Sequence, residues 1–210
     1  MLFKNRTEAG KKLAELLSDY ASEDVIVYAL PRGGVILGAE IARALNAPLD
    51  LIITRKIGHP SNPEYAVCAL AEDGAPICNQ SELERLGHPW LEEEKHKARE
   101  EIQRRREEYV GGTTQLDIKG KTAIIVDDGI ATGLTMIASI EEMKLHEPKE
   151  IVVAIPIVPY LTSLKLEGMV DKVVCVEATR EFLGAVGAYY DDFTQVDDDE
   201  VKRILKEVNK

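Results

Sequence analysis

The sequence is poor in the residues that build disulfide frameworks and zinc sites. It has three cysteines, Cys68, Cys78 and Cys175, without Cys-x-x-Cys spacing, and its four histidines (positions 59, 88, 96 and 146) show no metal-ligand spacing. An odd number of cysteines argues against a fully paired framework. Cys68 and Cys78 could face each other across a hairpin, but we expect buried thiols, because reducing compartments keep cysteines unpaired.

Long apolar segments are also missing. The best apolar run, "IVVAIPIVP" at 151–159, is too short to span a bilayer. The amino-terminal "MLFKNRTEAGKK" is charged from Lys4 onward and has no signal-peptide apolar stretch. These features predict a soluble, cytoplasmic protein.

Positive charge is scarce relative to negative charge. The chain has 26 Lys and Arg residues against 37 Asp and Glu residues, a formal net charge of −11. Such a surface opposes non-specific binding to nucleic acid or to anionic membranes, so we expect neither partner. The run Arg104, Arg105 and Arg106 has acidic neighbours, which favours a solvated or subunit-facing helix surface over a nucleic-acid site.

Short apolar runs alternate with helical patterns along the chain. The runs at 25–30, 49–54, 122–127, 150–156 and 171–176 are rich in Val and Ile, which is typical of parallel strands covered on both faces. The segments 34–46, 133–146 and 160–167 fit crossover helices. We therefore predict an α/β fold with a doubly wound, mainly parallel five-stranded sheet in one domain, residues 1–210, with its core at about 24–176. A ligand should lie at the carboxyl ends of the strands.

Two stretches interrupt this alternation. Residues 64–79 contain an Asp73-Gly74 turn between strand-like runs, which predicts a β-hairpin. In the inserted helical segment at about 81–110, "SELE" has capping-box spacing, and after Gly87 and Pro89 a long charged helix is expected to run to about Val110, where Gly111 and Gly112 end it.

The stretch "IIVDDGIATGLT" at 124–135 places two acids and a Gly/Thr loop between a strand and a helix. The amino-terminal N–H groups of a helix can bind a phosphate, and Gly133 lets the backbone approach it closely. The carboxylates of Asp127 and Asp128 would repel that phosphate but would accept hydrogen bonds from a sugar diol. The stretch therefore suits a ribose 5-phosphate.

This stretch resembles the phosphoribosyl pyrophosphate (PRPP) signature of the type I phosphoribosyltransferases. The resemblance implies that Asp127 and Asp128 act in catalysis at the ribose diol and hold Mg²⁺, directly or through water. It also implies substrate binding by the loop and first helical turn, namely Gly129, Ile130, Ala131, Thr132, Gly133, Leu134 and Thr135.

A second match is "YALPRGGVILGAEIA" at 28–42, which resembles the pyrophosphate loop of the same family. Arg32 would supply a permanent positive charge, and Gly33 and Gly34 would let backbone N–H groups reach the pyrophosphate. The resemblance also implies a cis peptide between Pro31 and Arg32, with the N–H groups of Gly33 and Gly34 facing the cavity below Thr132.

A third match is "TRKIGHPSNPEYAVCALAEDG" at 54–74, which resembles the family's mobile catalytic loop and is most like that of adenine phosphoribosyltransferases. Arg55 and Lys56 would neutralise the leaving pyrophosphate, and Glu64 would act near the nucleophile. The polar "HPSNP" segment would form a lid anchored at both ends.

The carboxyl-terminal residues 177–196 are the candidate hood over the acceptor. Their aromatic residues, Phe182, Tyr189, Tyr190 and Phe193, could stack on a ring or cap the core, and core packing is the favoured alternative. No set of residues identifies the acceptor base.

The resemblance implies a Mg²⁺-dependent transfer of the phosphoribosyl group from PRPP to a ring nitrogen of a nucleobase-like acceptor. Two alternatives stay open: a non-catalytic module that binds PRPP or a nucleotide, and a nucleotide phosphorylase or hydrolase. The dimers that related enzymes commonly form, together with the charged helix outside the core, predict at least a homodimer.

Overall fold

Five parallel strands form the central sheet of a computed structural model that describes residues 2–113 and 115–210, apart from the side chains of Glu64 and His88. The strands are β1 (Val25–Ala29), β2 (Leu49–Leu51), β6 (Thr122–Val126), β7 (Glu150–Pro159) and β8 (Lys172–Thr179), in the order β2-β1-β6-β7-β8. Every residue of β1 and β6 is buried, since helices cover both faces of the sheet. The predicted parallel sheet is confirmed.

Within the described residues, 2–113 and 115–210, seven α-helices surround the sheets. They are α1 (Arg6–Leu16), α2 (Gly34–Leu45), α3 (Gln80–Leu86), α4 (His88–Val110), α5 (Leu134–Leu145), α6 (Tyr160–Glu167) and α7 (Asp198–Val208), with short 3-10 segments at Ser18–Ser22 and Val186–Tyr189. The three predicted crossover helices correspond to α2, α5 and α6. No helix among residues 2–113 and 115–210 is both long enough and apolar enough to cross a membrane.

A small antiparallel sheet follows the second strand of the central sheet. It consists of β3 (Arg55–His59), β4 (Asn62–Leu70) and β5 (Ile77–Cys78). The predicted hairpin around Asp73-Gly74 corresponds to β4 and β5. The segment expected to form a lid anchored at both ends is a β3–β4 hairpin, in which only two residues, 60 and 61, separate the strands.

Cys68 and Cys78 form a disulfide, so the expectation of free thiols is wrong for this pair. The two residues are direct partners in the register of β4 and β5, which brings their side chains to the same face. Cys175 is the remaining thiol.

The inserted segment forms two helices, and the long charged helix expected after Gly87 and Pro89 is the second of them, α4. Gly87, at φ +84°, separates α3 from α4, and Gly111, at φ +66°, follows the end of α4 as expected. The amino-terminal cap of α3 is Asn79, whose side chain accepts a hydrogen bond from the Ser81 N–H group. The capping-box spacing at 81–84 therefore marked the right region but the wrong cap.

The three consecutive arginines of α4 lie in different environments. Arg104 is 58% exposed, whereas Arg106 is 8% exposed and pairs with Asp50 at 3.1 Å and Glu72 at 3.7 Å. The prediction of a solvated surface is therefore wrong for Arg106. Successive helical residues point about 100° apart, so one member of the run faces the core.

Candidate functional site

The two acids of the "IIVDDGIATGLT" stretch lie at the carboxyl end of β6, the central strand of the sheet. The Asp127 Oδ1 atom accepts a hydrogen bond from the Asp128 N–H group at 2.8 Å. Burial, and then the neighbouring charge of Asp128, raise the pKa of Asp127 well above its usual range, and Lys56 and Arg6 partly oppose this rise. The site therefore concentrates negative charge where water is scarce, an arrangement that a cation would stabilise.

Asp128 is held by an arginine from the amino-terminal helix. The Arg6 Nε atom donates to Asp128 Oδ2 at 2.7 Å, and the two side chains are only 10% and 16% exposed. Burial raises the pKa of Asp128, while the hydrogen bond and charge of Arg6 lower it. The Tyr190 hydroxyl donates to the Asp128 backbone carbonyl at 2.6 Å. Hydrogen bonds thus hold both the side chain and the backbone carbonyl of Asp128.

The sequence reasoning missed Arg6. It begins the buried stripe of α1, which continues with Ala9, Gly10, Leu13 and Ala14. A basic residue at a core-facing helical position was the available signal, because a buried arginine requires an acidic partner.

The loop after the acids delivers the amino terminus of α5 to the same edge of the sheet. Gly129 has φ +155°, and a Cβ atom there would lie 2.4 Å from Val186 Cγ1. Gly133 has φ +83° and caps α5 without a side-chain hydrogen bond. The first intrahelical donor is the Ile137 N–H group, which bonds to the Gly133 carbonyl, so the preceding N–H groups of the helix have no acceptor within it. This geometry suits an anion.

The remaining residues of this loop differ in exposure. Ile130 is buried and its N–H group donates to the Ile157 carbonyl at 3.0 Å, so it anchors the loop to β7. Ala131 and Thr132 are exposed, while Leu134 and Thr135 are half-buried. The exposed Ala131 and Thr132 therefore lie between Ile130, which is anchored to β7, and the start of α5.

The Arg-Gly-Gly loop after β1 lies directly against the two acids. A Cβ atom on Gly33 would lie 1.9 Å from Asp128 Oδ2, and one on Gly34 would lie 2.7 Å from the Val126 carbonyl oxygen. Only glycine permits this approach.

The peptide between Pro31 and Arg32 is cis, as predicted. The N–H group of Gly34, however, donates to the Leu30 carbonyl at 3.1 Å. The expectation that it faces the cavity is therefore wrong, because α2 begins at this residue and uses the donor. Arg32 lies at the edge of the loop, 36% exposed, with its Nη1 atom 3.6 Å from Asp198 Oδ1.

Replacing Gly33 with alanine should displace the Asp128 carboxylate, because the added methyl group overlaps its Oδ2 atom. We expect a loss of stability of about 1–3 kcal/mol, the usual cost of overpacking, measured by urea unfolding. Gly168→Ala is the matched control, since the nearest atom to its new Cβ would be 3.5 Å away. Equal stabilities for the two variants would contradict the close approach.

The β3–β4 hairpin brings positive charge toward the acids. Arg55 and Lys56 are both exposed at the start of β3, and the charge of Lys56 lowers the pKa of Asp127. Both residues also line a cavity of about 460 Å³ between the hairpin and α4, together with His59, Trp90 and Lys97. The side chain of Glu64, the expected catalytic residue of this hairpin, lies outside the described part of the structure.

The aromatic residues of the hood pack on one another. Phe182 pairs with Tyr189 at 5.5 Å between ring centroids, and Tyr190 contacts Phe193 at 4.9 Å and Phe3 at 5.2 Å. Tyr189 and Tyr190 are 8% and 2% exposed. These rings therefore cap the core, the alternative that the sequence favoured.

The turn between β4 and β5 is tied to α5 by a buried glutamate. Glu142 Oε2 accepts hydrogen bonds from the Asp73 and Gly74 N–H groups at 2.8 and 2.6 Å, and Glu142 Oε1 lies 3.3 Å from His146 Nε2. One oxygen of this carboxylate thus joins the small sheet to α5, and the other faces His146 at the end of the same helix.

Comparisons with known proteins identify the family to which the chain belongs. The family model described as the phosphoribosyl transferase domain matches residues 3–192. A Mycobacterium tuberculosis protein provisionally named a phosphoribosyl transferase is 38% identical over 211 residues, which cover 100% of this chain and 47% of the relative. The chain thus spans about half the length of that curated relative. The crystal structure of TT1426 from Thermus thermophilus is 36% identical, has a TM-score of 0.83 and is covered completely, as is this chain.

Proposed function

The chain belongs to the phosphoribosyl transferase domain family, and from this membership we propose that it transfers the 5-phosphoribosyl group of PRPP to a ring nitrogen of a nucleobase-like acceptor. The observation that carries the proposal is the contact of the Gly33-Gly34 loop with the acids at the end of β6, beside the uncapped amino terminus of α5. Anion sites and a diol site are then adjacent, as PRPP requires.

Each part of the site has a chemical task in this reaction. The free N–H groups of α5 bind the 5-phosphate, with the hydroxyls of Thr132 and Thr135 as further donors. Asp127 and Asp128 accept hydrogen bonds from the ribose hydroxyls. Arg32, Arg55 and Lys56 neutralise the pyrophosphate, for which Arg32 leaves its pairing with Asp198. The acceptor nitrogen bonds to the ribose C1 atom as the bond from C1 to the pyrophosphate oxygen breaks with its electron pair, and the proton of the acceptor nitrogen passes to water or to the released pyrophosphate.

The donor set also fits Mg²⁺. The ion prefers carboxylate oxygens and keeps several waters, and Asp127 and Asp128 offer two adjacent carboxylates whose charges disfavour each other in a buried setting. We therefore propose that these two residues hold Mg²⁺, directly or through water. The ion would screen the charge of the pyrophosphate and organise its oxygens. The transition state carries positive charge on the ribose, so positioning and the nearby carboxylates supply most of the remaining stabilisation.

Two observations favour the non-catalytic alternative. The aromatic residues of the hood are occupied with one another, and the Gly34 N–H group is used by α2. A protein with the diol and phosphate sites but without a working acceptor pocket would bind PRPP and not transform it.

Incubation with labelled PRPP, Mg²⁺ and a panel of purines, pyrimidines and related rings tests the proposal. Release of pyrophosphate with one base and formation of the matching nucleotide would support transfer. Binding of PRPP without release would favour the regulatory module, while release with phosphate or water alone would favour the phosphorylase or hydrolase. If transfer is observed, we expect the protein to be a cytoplasmic enzyme of nucleotide metabolism.

We also propose that the protein is at least a homodimer. The long helix α4 has an exposed face rich in charged residues, and dimers of related enzymes bring arginines toward the neighbouring site. Light scattering at micromolar concentration should give about twice the chain mass or more. A monomer alone at that concentration would contradict this expectation.

A further inference from the structure

We propose that Arg6 is a positioning residue for the ribose diol, acting through the Asp128 carboxylate. The inference rests on the proposed binding of PRPP and adds a residue that lies outside all three sequence matches. It assigns Arg6 no contact with the substrate.

The guanidinium of Arg6 is fixed by three contacts. Its Nε atom donates to Asp128 Oδ2 at 2.7 Å, its Nη1 atom donates to the Thr194 carbonyl at 2.7 Å, and its Cζ atom lies 3.8 Å from the centroid of the Phe193 ring. A planar guanidinium with directed donors can make these contacts together, which an ammonium group cannot. Arg6 therefore defines the orientation of the carboxylate that it holds.

Gly33 closes the other side of the same oxygen. The space that a Cβ atom would need at Gly33 is occupied by Asp128 Oδ2. Because this oxygen is enclosed between Arg6 and the Gly33 backbone, the carboxylate cannot turn it toward a ligand.

Asp127 and Asp128 are arranged alike, because one oxygen of each carboxylate accepts a hydrogen bond from the protein. Asp127 Oδ1 accepts the Asp128 N–H group, and Asp128 Oδ2 accepts Arg6 Nε. The second oxygen of each acid accepts no hydrogen bond from residues 2–113 and 115–210, and that part of the chain contains no buried side-chain oxygen without a partner. Neither second oxygen is therefore completely buried, and two carboxylate oxygens without a protein donor match the two hydroxyls of a ribose diol.

A purely structural role for Arg6 makes a different prediction. In that case the residue joins α1 to residues 193 and 194, and its loss lowers affinity through general loosening whether or not Asp128 is charged. In the proposed role, the loss acts through Asp128 and disappears when that acid is replaced.

The experiment is a double-mutant cycle read by titration calorimetry with PRPP and Mg²⁺. We expect Arg6→Met to weaken binding about tenfold or more in the wild-type background and about twofold or less in the Asp128→Asn background. Arg6→Lys should give an intermediate loss of affinity, because lysine keeps the positive charge but lacks the planar, directed donors of the guanidinium. Lys11→Met, on the exposed side of α1, is the matched control and should bind as the wild type does.

The outcomes separate the two proposals. An equal loss from Arg6→Met in both backgrounds would overturn the positioning role while leaving PRPP binding intact. Absence of PRPP binding by the wild type would overturn the proposed function and this role with it. If Arg6→Met does not fold, Arg6→Lys in the two backgrounds completes the same cycle, and an equal loss there has the same meaning.

Discussion

Replacing Asp127 with asparagine should weaken PRPP binding by about 1.5–3 kcal/mol while leaving the folded protein as stable as before, or more stable. The loss reflects the charge-assisted hydrogen bond to the ribose diol. Stability should not fall, because the half-buried Asp127 carboxylate carries an unfavourable desolvation cost and faces the like charge of Asp128. The asparagine side-chain oxygen can still accept the Asp128 N–H group.

Calorimetry and thermal melts of three variants check this expectation. Asp128→Asn should lose affinity and also destabilise the protein by about 2–4 kcal/mol, because it leaves Arg6 partly buried without its anion. The double variant should lose about 2 kcal/mol or more of binding free energy. Unaltered PRPP affinity in folded Asp127→Asn would remove this acid from the site.

Replacing Arg106 with methionine should destabilise the protein by about 3–5 kcal/mol, because it leaves two buried acids without a cation. The Arg106 Nη1 atom lies 3.1 Å from Asp50 and 3.7 Å from Glu72, and the three side chains are 8%, 7% and 15% exposed. Burial already raises the pKa of Glu72, and Arg106 opposes that rise. Without Arg106, its positive charge no longer offsets the desolvation cost of the Asp50 and Glu72 carboxylates.

Urea unfolding measures this loss, with Arg104→Met as the control on the same helix. Arg104 is 58% exposed, and its ion pairs with Glu101 and Glu108 lie on the surface. Such pairs contribute about 0–1 kcal/mol. Similar unfolding free energies for the two variants would show that the buried network does not stabilise the fold.

The central sheet was predictable because its signals are local. Runs such as 122–127 are short, rich in Ile and Val, and bounded by polar residues, so each strand can be identified without reference to the rest of the chain. Helix α7 was missed although Val201, Ile204 and Leu205 show helical spacing after a capping Asp197. Its short apolar stripe lies in a strongly acidic segment, which obscured the pattern.

The sequence predicted those parts of the candidate site that lie within one contiguous segment. The acids, the Gly/Thr loop and the Arg-Gly-Gly turn are each contiguous in sequence, and the structure brings them together at one edge of the sheet. The different settings of Asp127 and Asp128 depend on Arg6 and Tyr190, which are distant in sequence. The disulfide was weighed but not favoured for a related reason, since the register that makes Cys68 and Cys78 partners is fixed only once the strands are paired.

The contacts of Arg6 also have a consequence for the order in which the protein folds. Its bonds to Asp128 and Thr194 span 122 and 188 residues, whereas β1 and α2 adjoin in sequence. Contacts between distant residues require the largest loop closures and tend to form after local structure. On the ribosome, Arg6 emerges long before Thr194 is synthesised. We therefore expect the sheet to assemble first and the ligand-binding acids to reach their final geometry only after the segment containing Thr194 has docked.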